Sequence, residues 1–104
     1  MTRRFVHPDM KDVALESVLH ALGDPVRLHL VRKLSGCPSA MNCAEVANDL
    51  EKLPLSTRHH HLRILREAGL IWSERQGVSV LNKLRKDEIE KRFPGLLHTL
   101  LPLK

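Results

Sequence analysis

Aromatic residues are scarce in this chain. They make up 3% of the 104 residues, namely Phe5, Trp72 and Phe93, and tyrosine does not occur. Proteins that bind single-stranded nucleic acid stack the bases on aromatic side chains, so this composition argues against that class. Because aromatic side chains are few, we expect a core built mainly from leucine and valine.

Cysteines and long apolar runs are also scarce. Cys37 and Cys43 are the two cysteines, too few for a disulfide framework, and their C-x5-C spacing fits neither a redox C-x-x-C motif nor a paired zinc knuckle. The most apolar stretch, Leu96–Leu103, is interrupted by polar residues and is far shorter than the roughly 20 residues that cross a membrane. The first eight residues contain two arginines but no apolar signal segment. We therefore expect a cytoplasmic protein without a membrane segment.

The chain length suits one domain over residues 1–104. Apolar residues make up 42% and charged residues 28%, as in ordinary globular proteins, which excludes disordered and collagen-like classes. The sequence contains no glycine-rich phosphate loop, no metal-ligand cluster and no nucleophile that a known motif places beside a base. We therefore predict no catalytic residue and no cofactor, and we do not expect an enzyme.

Positive charge is concentrated in one part of the chain. Lysine and arginine number 17 against 12 aspartates and glutamates, and the isoelectric point is about 9.7. The whole excess lies between Leu55 and Lys86, a stretch that also contains His59, His60 and His61. A contiguous cationic segment attracts a polyanion, so this third of the chain is the candidate nucleic-acid face. The simpler alternative is a solvated basic surface.

Apolar residues recur at helical spacing in the first third of the chain. They predict a first helix over about 10–22. Asp24 followed by Pro25 is typical of a capped helix start, so we expect a second helix that runs to about Leu34 and stops at Gly36. Its basic residues are expected to face outward: Arg27, Arg32 and Lys33.

A helix-turn-helix is predicted over about 43–68. A capping box beginning at Asn42 indicates a short third helix. Ser56 or Thr57 can cap a fourth helix that ends at Gly69. Two short helices joined by a brief turn form this motif.

A hairpin and a last helix complete the chain. Residues that favour strands flank a turn at Gln76-Gly77 and predict a hairpin over about 70–84 with a basic, exposed tip. Another capping box, at Asp87, starts a helix over about 87–101 that is interrupted by Pro94-Gly95. The predicted fold class is mainly α with a small β-hairpin, arranged as a winged helix-turn-helix.

In a winged helix-turn-helix, the second helix of the motif enters the major groove while the hairpin reaches phosphates or the minor groove. Arg63 can bind guanine through two N–H groups, and His59 or His60 can donate to base or phosphate oxygens. His61, beside apolar Leu62, is expected to pack rather than to contact DNA. The predicted DNA-binding residues are Ser56, Thr57, Arg58, His59, His60, Arg63, Arg75 and Gln76.

Two motifs occur at a characteristic separation in this chain. The first is Leu19–Leu28, which reads LHALGDPVRL. The second is Ser56–Ile71, which reads STRHHHLRILREAGLI and is followed by Arg75-Gln76-Gly77. Together they resemble the ArsR/SmtB family of bacterial repressors, and the resemblance covers about residues 10–101.

This resemblance implies a homodimer in which the first and last helices form the interface and the paired recognition helices bind a palindromic operator in double-stranded DNA. The first predicted helix agrees with this interface, because Leu15 and Leu19 form a second apolar stripe beside the one that faces the core. The chain departs from the family pattern at two positions of this helix. Arg58 stands where the family usually has a small apolar residue, and His59 stands where it usually has a serine, so the operator sequence stays open. The implied interface residues are Val13, Leu15, Leu19, Leu96, Leu97, Leu100 and Leu101.

Many members of the family sense metals, but their ligands do not match this chain. Where the arsenic and lead type has Cys-Val-Cys, the chain has Asn42-Cys43-Ala44, and a single thiolate does not make a three-sulfur site. At the positions of the zinc ligands it has Lys86, Glu88 and Thr99, with His98 one position away. We therefore predict no metal site.

The favoured function is a sequence-specific DNA-binding transcriptional regulator in the bacterial nucleoid, most simply a repressor. Two alternatives stay open. One is a thiol-responsive repressor in which Cys37 and Cys43 form a disulfide. The other is a winged-helix protein-interaction module that does not bind DNA.

Overall fold

The structure is a computed structural model that describes residues 5–37, 41–42 and 52–101. Within them the α-helices are α1 Leu15–Leu22, α2 Pro25–Ser35, α3 Leu55–Glu67, α4 Lys86–Arg92 and α5 Leu96–Leu100. The strands in the same residues are β1 Met41–Asn42, β2 Ile71–Gln76 and β3 Ser79–Leu84. The predicted fold class is confirmed. The predicted third helix, over about 43–50, lies outside the described residues.

The first helix begins later than its periodicity indicated. Met10–Asp12 form a 3-10 turn, and α1 starts at Leu15. Val13 is extended and buried, and its carbonyl accepts a hydrogen bond from Arg92 Nε at 2.8 Å. A continuous helix would use that carbonyl for its own i+4 hydrogen bond, so packing of Val13 and Arg92 delays the helix start.

The ends of α2 agree with the prediction to within one residue. The Asp24 side chain accepts hydrogen bonds from the N–H groups of Val26 and Arg27 at 2.8 and 3.2 Å. Partial burial alone would raise the pKa of Asp24, but these hydrogen bonds and the charge of Arg27 bring it below its ordinary value. The helix ends at Ser35, with Gly36 in the C-cap position.

The start of α3 lacks the predicted side-chain cap. The helix begins at Leu55, and the carbonyl of Pro54 accepts hydrogen bonds from the N–H groups of Thr57 and Arg58 at 3.0 and 3.1 Å. Ser56 and Thr57 therefore lie in the first turn. Their predicted capping role is wrong, because a cap must precede the helix.

The end of α3 is a Schellman motif. Gly69 has a φ of +86°. The N–H of Leu70 donates to the Leu65 carbonyl at 3.0 Å, and the N–H of Gly69 donates to the Arg66 carbonyl at 3.1 Å. A Cβ at Gly69 would collide with a methyl group of Val13. The missing side chain thus allows the chain to reverse and the N-terminal segment to pack on the end of α3.

The hairpin strands belong to a three-stranded antiparallel sheet in the order β1-β3-β2. Their register runs from Ile71 opposite Leu84 to Gln76 opposite Ser79. The turn is therefore Gly77-Val78, one residue later than predicted. The strand β1, which the sequence did not predict, pairs with β3.

The last helical segment is broken at Pro94-Gly95, as predicted. Gly95 has a φ of +85° and separates α4 from α5. Asp87 lies in the first turn of α4 instead of capping it, because Arg85 holds the N-cap position. Arg85 donates from Nε and Nη2 to the Glu88 carboxylate at 2.9 and 3.2 Å. These hydrogen bonds and the charge of Arg85 lower the pKa of Glu88 against the opposing effect of partial burial.

Aliphatic side chains fill the core, as the composition predicted. The largest fully buried aliphatic side chains are Val18, Leu30, Val31, Leu65, Leu70, Ile71, Ile89 and Leu97. They come from α1, α2, α3, the hairpin and both C-terminal helices, so one core holds α3 and the hairpin in place. In the described part of the chain, we find no helix with the length and apolar character needed to span a membrane.

Candidate nucleic-acid interface

The helix α3 has one buried and one exposed face. Leu62 and Leu65 pack into the core with 4% and 0% exposure. The helical repeat of 3.6 residues then turns most of the predicted contact residues on α3 away from the core. Arg58 is the exception, because it lies one turn before Leu62 on the buried side. The exposed members of that set are Ser56, His59, His60 and Arg63.

Arg63 and His60 form a polar pair on the exposed face. Arg63 Nη2 lies 3.4 Å from His60 Nδ1, one helical turn away. A guanidinium carries five N–H donors, so Arg63 retains donors for a second partner. The pair places a cation and an imidazole at the middle of the exposed face.

Arg58 is half-buried and points back along the chain. Its Nε donates to the Leu53 carbonyl at 3.1 Å. This hydrogen bond ties the first turn of α3 to the residues before it. Contact of Arg58 with DNA remains a prediction, and the structure gives this side chain a supporting contact within the protein.

Alternation along β2 orients the two predicted contact residues of the wing. Ser73 is buried, whereas Trp72 and Glu74 are exposed. Because successive side chains point to opposite faces of a strand, Arg75 shares the face of Ser73, and Gln76 shares the face of Trp72. Arg75 therefore lies on the side of the wing that faces α3.

A groove of about 620 Å³ lies between α3 and the wing. Its polar lining residues are Ser56, His59, His60, Arg63, Arg66 and Arg75. Its apolar lining residues are Phe5, Leu62 and Val80. The groove brings together five of the predicted contact residues, while Thr57, Arg58 and Gln76 lie outside its lining. Guanidinium and imidazole groups on its walls suit phosphate oxygens and base edges.

Arg66 also lines this groove, although it was not among the predicted contact residues. Its Nε donates to Ser73 Oγ at 3.1 Å, and Ser73 Oγ donates to Asn82 Oδ1 at 2.8 Å. Ser73 and Asn82 are buried, so these hydrogen bonds fix the hairpin against α3. One feature of the sequence could have indicated that Arg66 belongs to the groove: it lies one helical turn after Arg63 in the basic segment.

His61 is buried, as predicted, but its partner was not foreseen. Its Nδ1 lies 3.2 Å from Nη1 of Arg27. Arg27 is 7% exposed and also donates to the carbonyls of Ala21 at 2.8 Å and His20 at 3.3 Å. The predicted outward orientation of Arg27 is wrong, because the final carbonyls of α1 need donors. Arg27 thereby connects α1, α2 and α3.

The protonation state of His61 affects this connection. Burial lowers the pKa of His61; the carboxylate of Asp24 opposes that effect, and the positive charges of Arg27 and His60 add to it. An arginine can only donate, so Nδ1 of a neutral ring must accept. The position of α3 is therefore tied to a neutral His61.

The candidate metal and thiol residues form no ligand cluster within the part of the chain that the structure describes. Among the residues that the structure describes, no group of three or more histidine, cysteine, aspartate or glutamate side chains could hold a metal ion. Cys37 is half-buried, and its Sγ donates to the Lys33 carbonyl at 3.4 Å. Cys43 lies outside the described residues, so its pairing with Cys37 stays a prediction.

Comparison with known proteins identifies the class. Residues 22–73 match a family model described as a helix-turn-helix domain. The chain is 31% identical over 83 residues to YceK, an uncharacterized HTH-type transcriptional regulator of Bacillus subtilis (strain 168), covering 80% of this chain and 82% of YceK. The chain belongs to the helix-turn-helix transcriptional regulators. It is therefore a DNA-binding transcriptional regulator.

Solved structures show the fold of this regulator in other proteins. The crystal structure of an ArsR family transcriptional regulator matches it with a TM-score of 0.67 at 22% identity, covering 82% of this chain and 90% of that chain. PagR, a transcriptional repressor of Bacillus anthracis, matches with a TM-score of 0.57 at 27% identity, covering 75% and 90%. At the level of the fold, these matches confirm the resemblance to the ArsR/SmtB family.

Proposed function

We propose that this regulator is a homodimeric repressor that acts in the bacterial cytoplasm by binding a palindromic operator, without catalysis. The observation that carries the proposal is the groove in which α3 and the wing present Arg63 and Arg75 on one surface. A bound dimer would cover promoter DNA and exclude the polymerase. The fold shared with PagR, a transcriptional repressor, supports repression of transcription as the outcome of binding.

The groove residues divide into two roles in this proposal. Arg63 reads a guanine in the major groove through two parallel hydrogen bonds. His59, His60 and Ser56 contact neighbouring bases or phosphates. Arg75, on the wing, contacts a flanking phosphate and contributes affinity without sequence preference.

Binding to an operator selected from a random pool of duplexes should depend steeply on salt. A dimer with about 6–10 phosphate contacts loses roughly 10³- to 10⁵-fold in affinity between 50 and 200 mM salt. Arg63→Ala should weaken operator binding by about 1–3 kcal/mol and relax sequence preference, whereas Arg75→Ala should weaken operator and random duplex alike. Fluorescence anisotropy on both duplexes measures each effect.

Lys91→Ala is the matched control, because Lys91 is an exposed cation on α4 that does not line the groove. It should change affinity much less than either arginine substitution. A flat salt response of the wild-type protein, or equal effects of Lys91→Ala and Arg63→Ala, would contradict the proposal. Failure to bind any duplex at low salt would instead favour a protein-interaction module.

The proposed dimer interface centres on α1. Leu15 and Leu19, one turn apart, are 42% and 48% exposed, so together they leave an apolar stripe uncovered. Leu96 and Leu100 on α5 are half-buried. The remaining predicted interface residues are buried in the core of the protomer itself: Val13, Leu97 and Leu101. We propose that a second copy covers the stripe on α1.

Replacing both Leu15 and Leu19 with glutamate should convert the dimer to monomers at micromolar concentration, as measured by analytical ultracentrifugation. Operator affinity should fall at least about tenfold, because one subunit then binds a single half-site without the effective concentration that its partner supplies. Leu55→Glu, at another exposed leucine, should leave the dimer intact. A monomeric wild-type protein, even with operator present, would overturn the dimer.

A further inference from the structure

The segment Phe5–Pro8, here called the N-terminal strap, lies along the outer edge of the wing. The His7 ring stacks on the Trp72 indole with a centroid distance of 3.8 Å and an interplanar angle of 10°. His7 Nε2 accepts a hydrogen bond from the backbone N–H of Ser73 at 2.9 Å. Because β2 is an edge strand of the described sheet, an N–H that points outward from it needs an acceptor from outside the sheet. His7 supplies that acceptor.

The two ends of the strap contact different parts of the protein. The carbonyl of Pro8 accepts a hydrogen bond from Arg85 Nη1 at 2.9 Å, at the base of the hairpin. At the other end, the Phe5 ring centroid lies 4.3 Å from the guanidinium carbon of Arg66, a cation–π distance. Arg66 belongs to α3, and Phe5 lines the groove. The strap therefore spans from the base of the wing to α3.

Contacts from three segments of the chain meet at Ser73. Its N–H donates to His7, its Oγ accepts from Arg66 Nε at 3.1 Å, and the same Oγ donates to Asn82 Oδ1 at 2.8 Å. Ser73 is also the last buried residue of β2, since positions 74–76 are exposed. The direction of the outer half of the wing is therefore set at Ser73.

The direction of the wing decides where Arg75 lies. Arg75 is two residues beyond Ser73, about 7 Å further along the strand. A change in the direction of the strand at Ser73 would move Arg75 relative to Arg63 on α3, and both arginines line the groove. Fixing their separation before binding avoids the cost of ordering the wing on the DNA. We propose that the N-terminal strap positions the wing relative to α3 for DNA binding, with His7 as the positioning residue.

The contact of His7 with Ser73 requires a neutral imidazole. An Nε2 atom that accepts a hydrogen bond carries no proton, whereas a doubly protonated ring would present a second N–H to the Ser73 N–H. Burial lowers the pKa of His7, and the charges of Arg66 and Arg85 lower it further. His7 therefore holds the strap in place without adding charge to the groove.

The experiment measures the salt dependence of binding to the operator selected above, with full-length variants at pH 8. In Arg75→Ala, the slope of log affinity against log salt should become less steep by roughly two, because a dimer loses one phosphate contact from each subunit. His7→Ala should reproduce most of this change, although the ring that it removes is uncharged. Arg75→Ala in the His7→Ala background should then add little, since the displaced wing no longer brings Arg75 to the phosphate.

Two further histidine substitutions complete this comparison. His29→Ala removes an exposed histidine on α2 that does not line the groove, and it should leave the slope unchanged. His7→Gln should restore much of the wild-type slope, because its amide oxygen can accept from the Ser73 N–H. A His7→Gln variant that behaves like His7→Ala would overturn the role assigned to His7.

Trp72 reports whether the strap is docked. It is the single tryptophan of the chain, and the His7 ring covers one face of its indole. Acrylamide quenching of its fluorescence should therefore be stronger in His7→Ala than in the wild-type protein, and unchanged in His29→Ala. Equal quenching in His7→Ala and the wild-type protein would contradict the docked strap. Thermal melts of each variant establish that the protein is folded.

This inference rests on the proposed function, and the outcomes separate the two. If Arg63→Ala and Arg75→Ala weaken binding as proposed but His7→Ala keeps the wild-type slope, the strap does not position the wing and the proposed function stands. Tighter binding by His7→Ala would likewise overturn the inference, because the strap would then obstruct the groove. If the wild-type protein shows no salt-dependent binding to duplex, both the function and the inference fail.

Discussion

Gly69→Ala should lower the free energy of unfolding by roughly 2–5 kcal/mol, from two separate causes. The φ of +86° at this position costs an L-residue about 1–2 kcal/mol. The new methyl group would also collide with the side chain of Val13, and overpacking of a core typically adds about 1–3 kcal/mol. Urea denaturation at constant pH measures the sum.

Gly95→Ala is the matched control for the backbone contribution. Gly95 has a φ of +85°, almost the same as that of Gly69, and among the described residues no atom beyond its chain neighbours lies within 4 Å of an added Cβ. Its substitution should therefore cost about 1–2 kcal/mol. Val13→Ala in the Gly69→Ala background should recover part of the steric cost. Equal destabilisation by Gly69→Ala and Gly95→Ala would show that the contact with Val13 is unimportant.

Arg27→Ala should destabilise the protein by roughly 3–6 kcal/mol. The substitution leaves the Ala21 carbonyl and His61 Nδ1 without their donor, and each hydrogen bond to a charged group contributes about 1.5–3 kcal/mol. The His20 carbonyl keeps a second donor, the N–H of Gly23 at 3.2 Å, so this third contact adds little. The loss should appear as a lower midpoint in urea and in thermal melts.

Arg32→Ala tests whether burial causes the effect of Arg27→Ala. Arg32 lies on the same helix, is exposed, and donates to the Leu100 carbonyl at 3.1 Å. Its removal should cost less than about 1 kcal/mol, because water replaces the lost donor. A similar loss of stability in both variants would contradict the role assigned to Arg27.

The contact between Arg27 and His61 predicts how the free energy of unfolding changes with pH. Because the folded protein holds the pKa of His61 below its ordinary value, the unfolded chain binds the proton first as the pH falls. The stabilisation that the neutral His61 ring provides is complete above about pH 6.5, the ordinary pKa that histidine has in the unfolded chain. It is lost as the pH falls through the lower pKa that His61 has in the folded protein. In His61→Asn, an amide oxygen that does not titrate can accept from Arg27. The free energy of unfolding of this variant should therefore decrease less than that of the wild-type protein when the pH is lowered through this range.

Several features of the fold could be predicted because their causes lie within a few residues of sequence. Asp24 caps a helix whose first N–H groups are two and three residues away. Gly69 and Gly95 end or interrupt helices through their own backbone angles. The exposed face of α3 follows from helical periodicity, so Ser56, His59, His60 and Arg63 were assigned correctly to the surface. These local signals act before the chain has folded.

Other features depended on partners far away in the sequence. Arg27 is basic and was expected to face outward, but its contact with His61 joins residues 34 positions apart. His7 and Ser73 are separated by 66 positions, and no periodicity or motif indicated that they meet. The position of Arg66 in the groove depends in the same way on its contacts with Ser73 and Phe5, which belong to other segments of the chain.

By itself, the sequence determined the class of this protein, the order of most of its elements and the surface that carries its charge. Capping, periodicity and charge density are properties of short segments, so they can be read without knowing which segments meet. Only the tertiary structure decided that Arg27 turns inward, that Arg66 binds Ser73 of the wing and that Phe5 lines the groove. Those outcomes depend on buried donors finding acceptors in distant segments, and that pairing exists only after the core has brought the segments together.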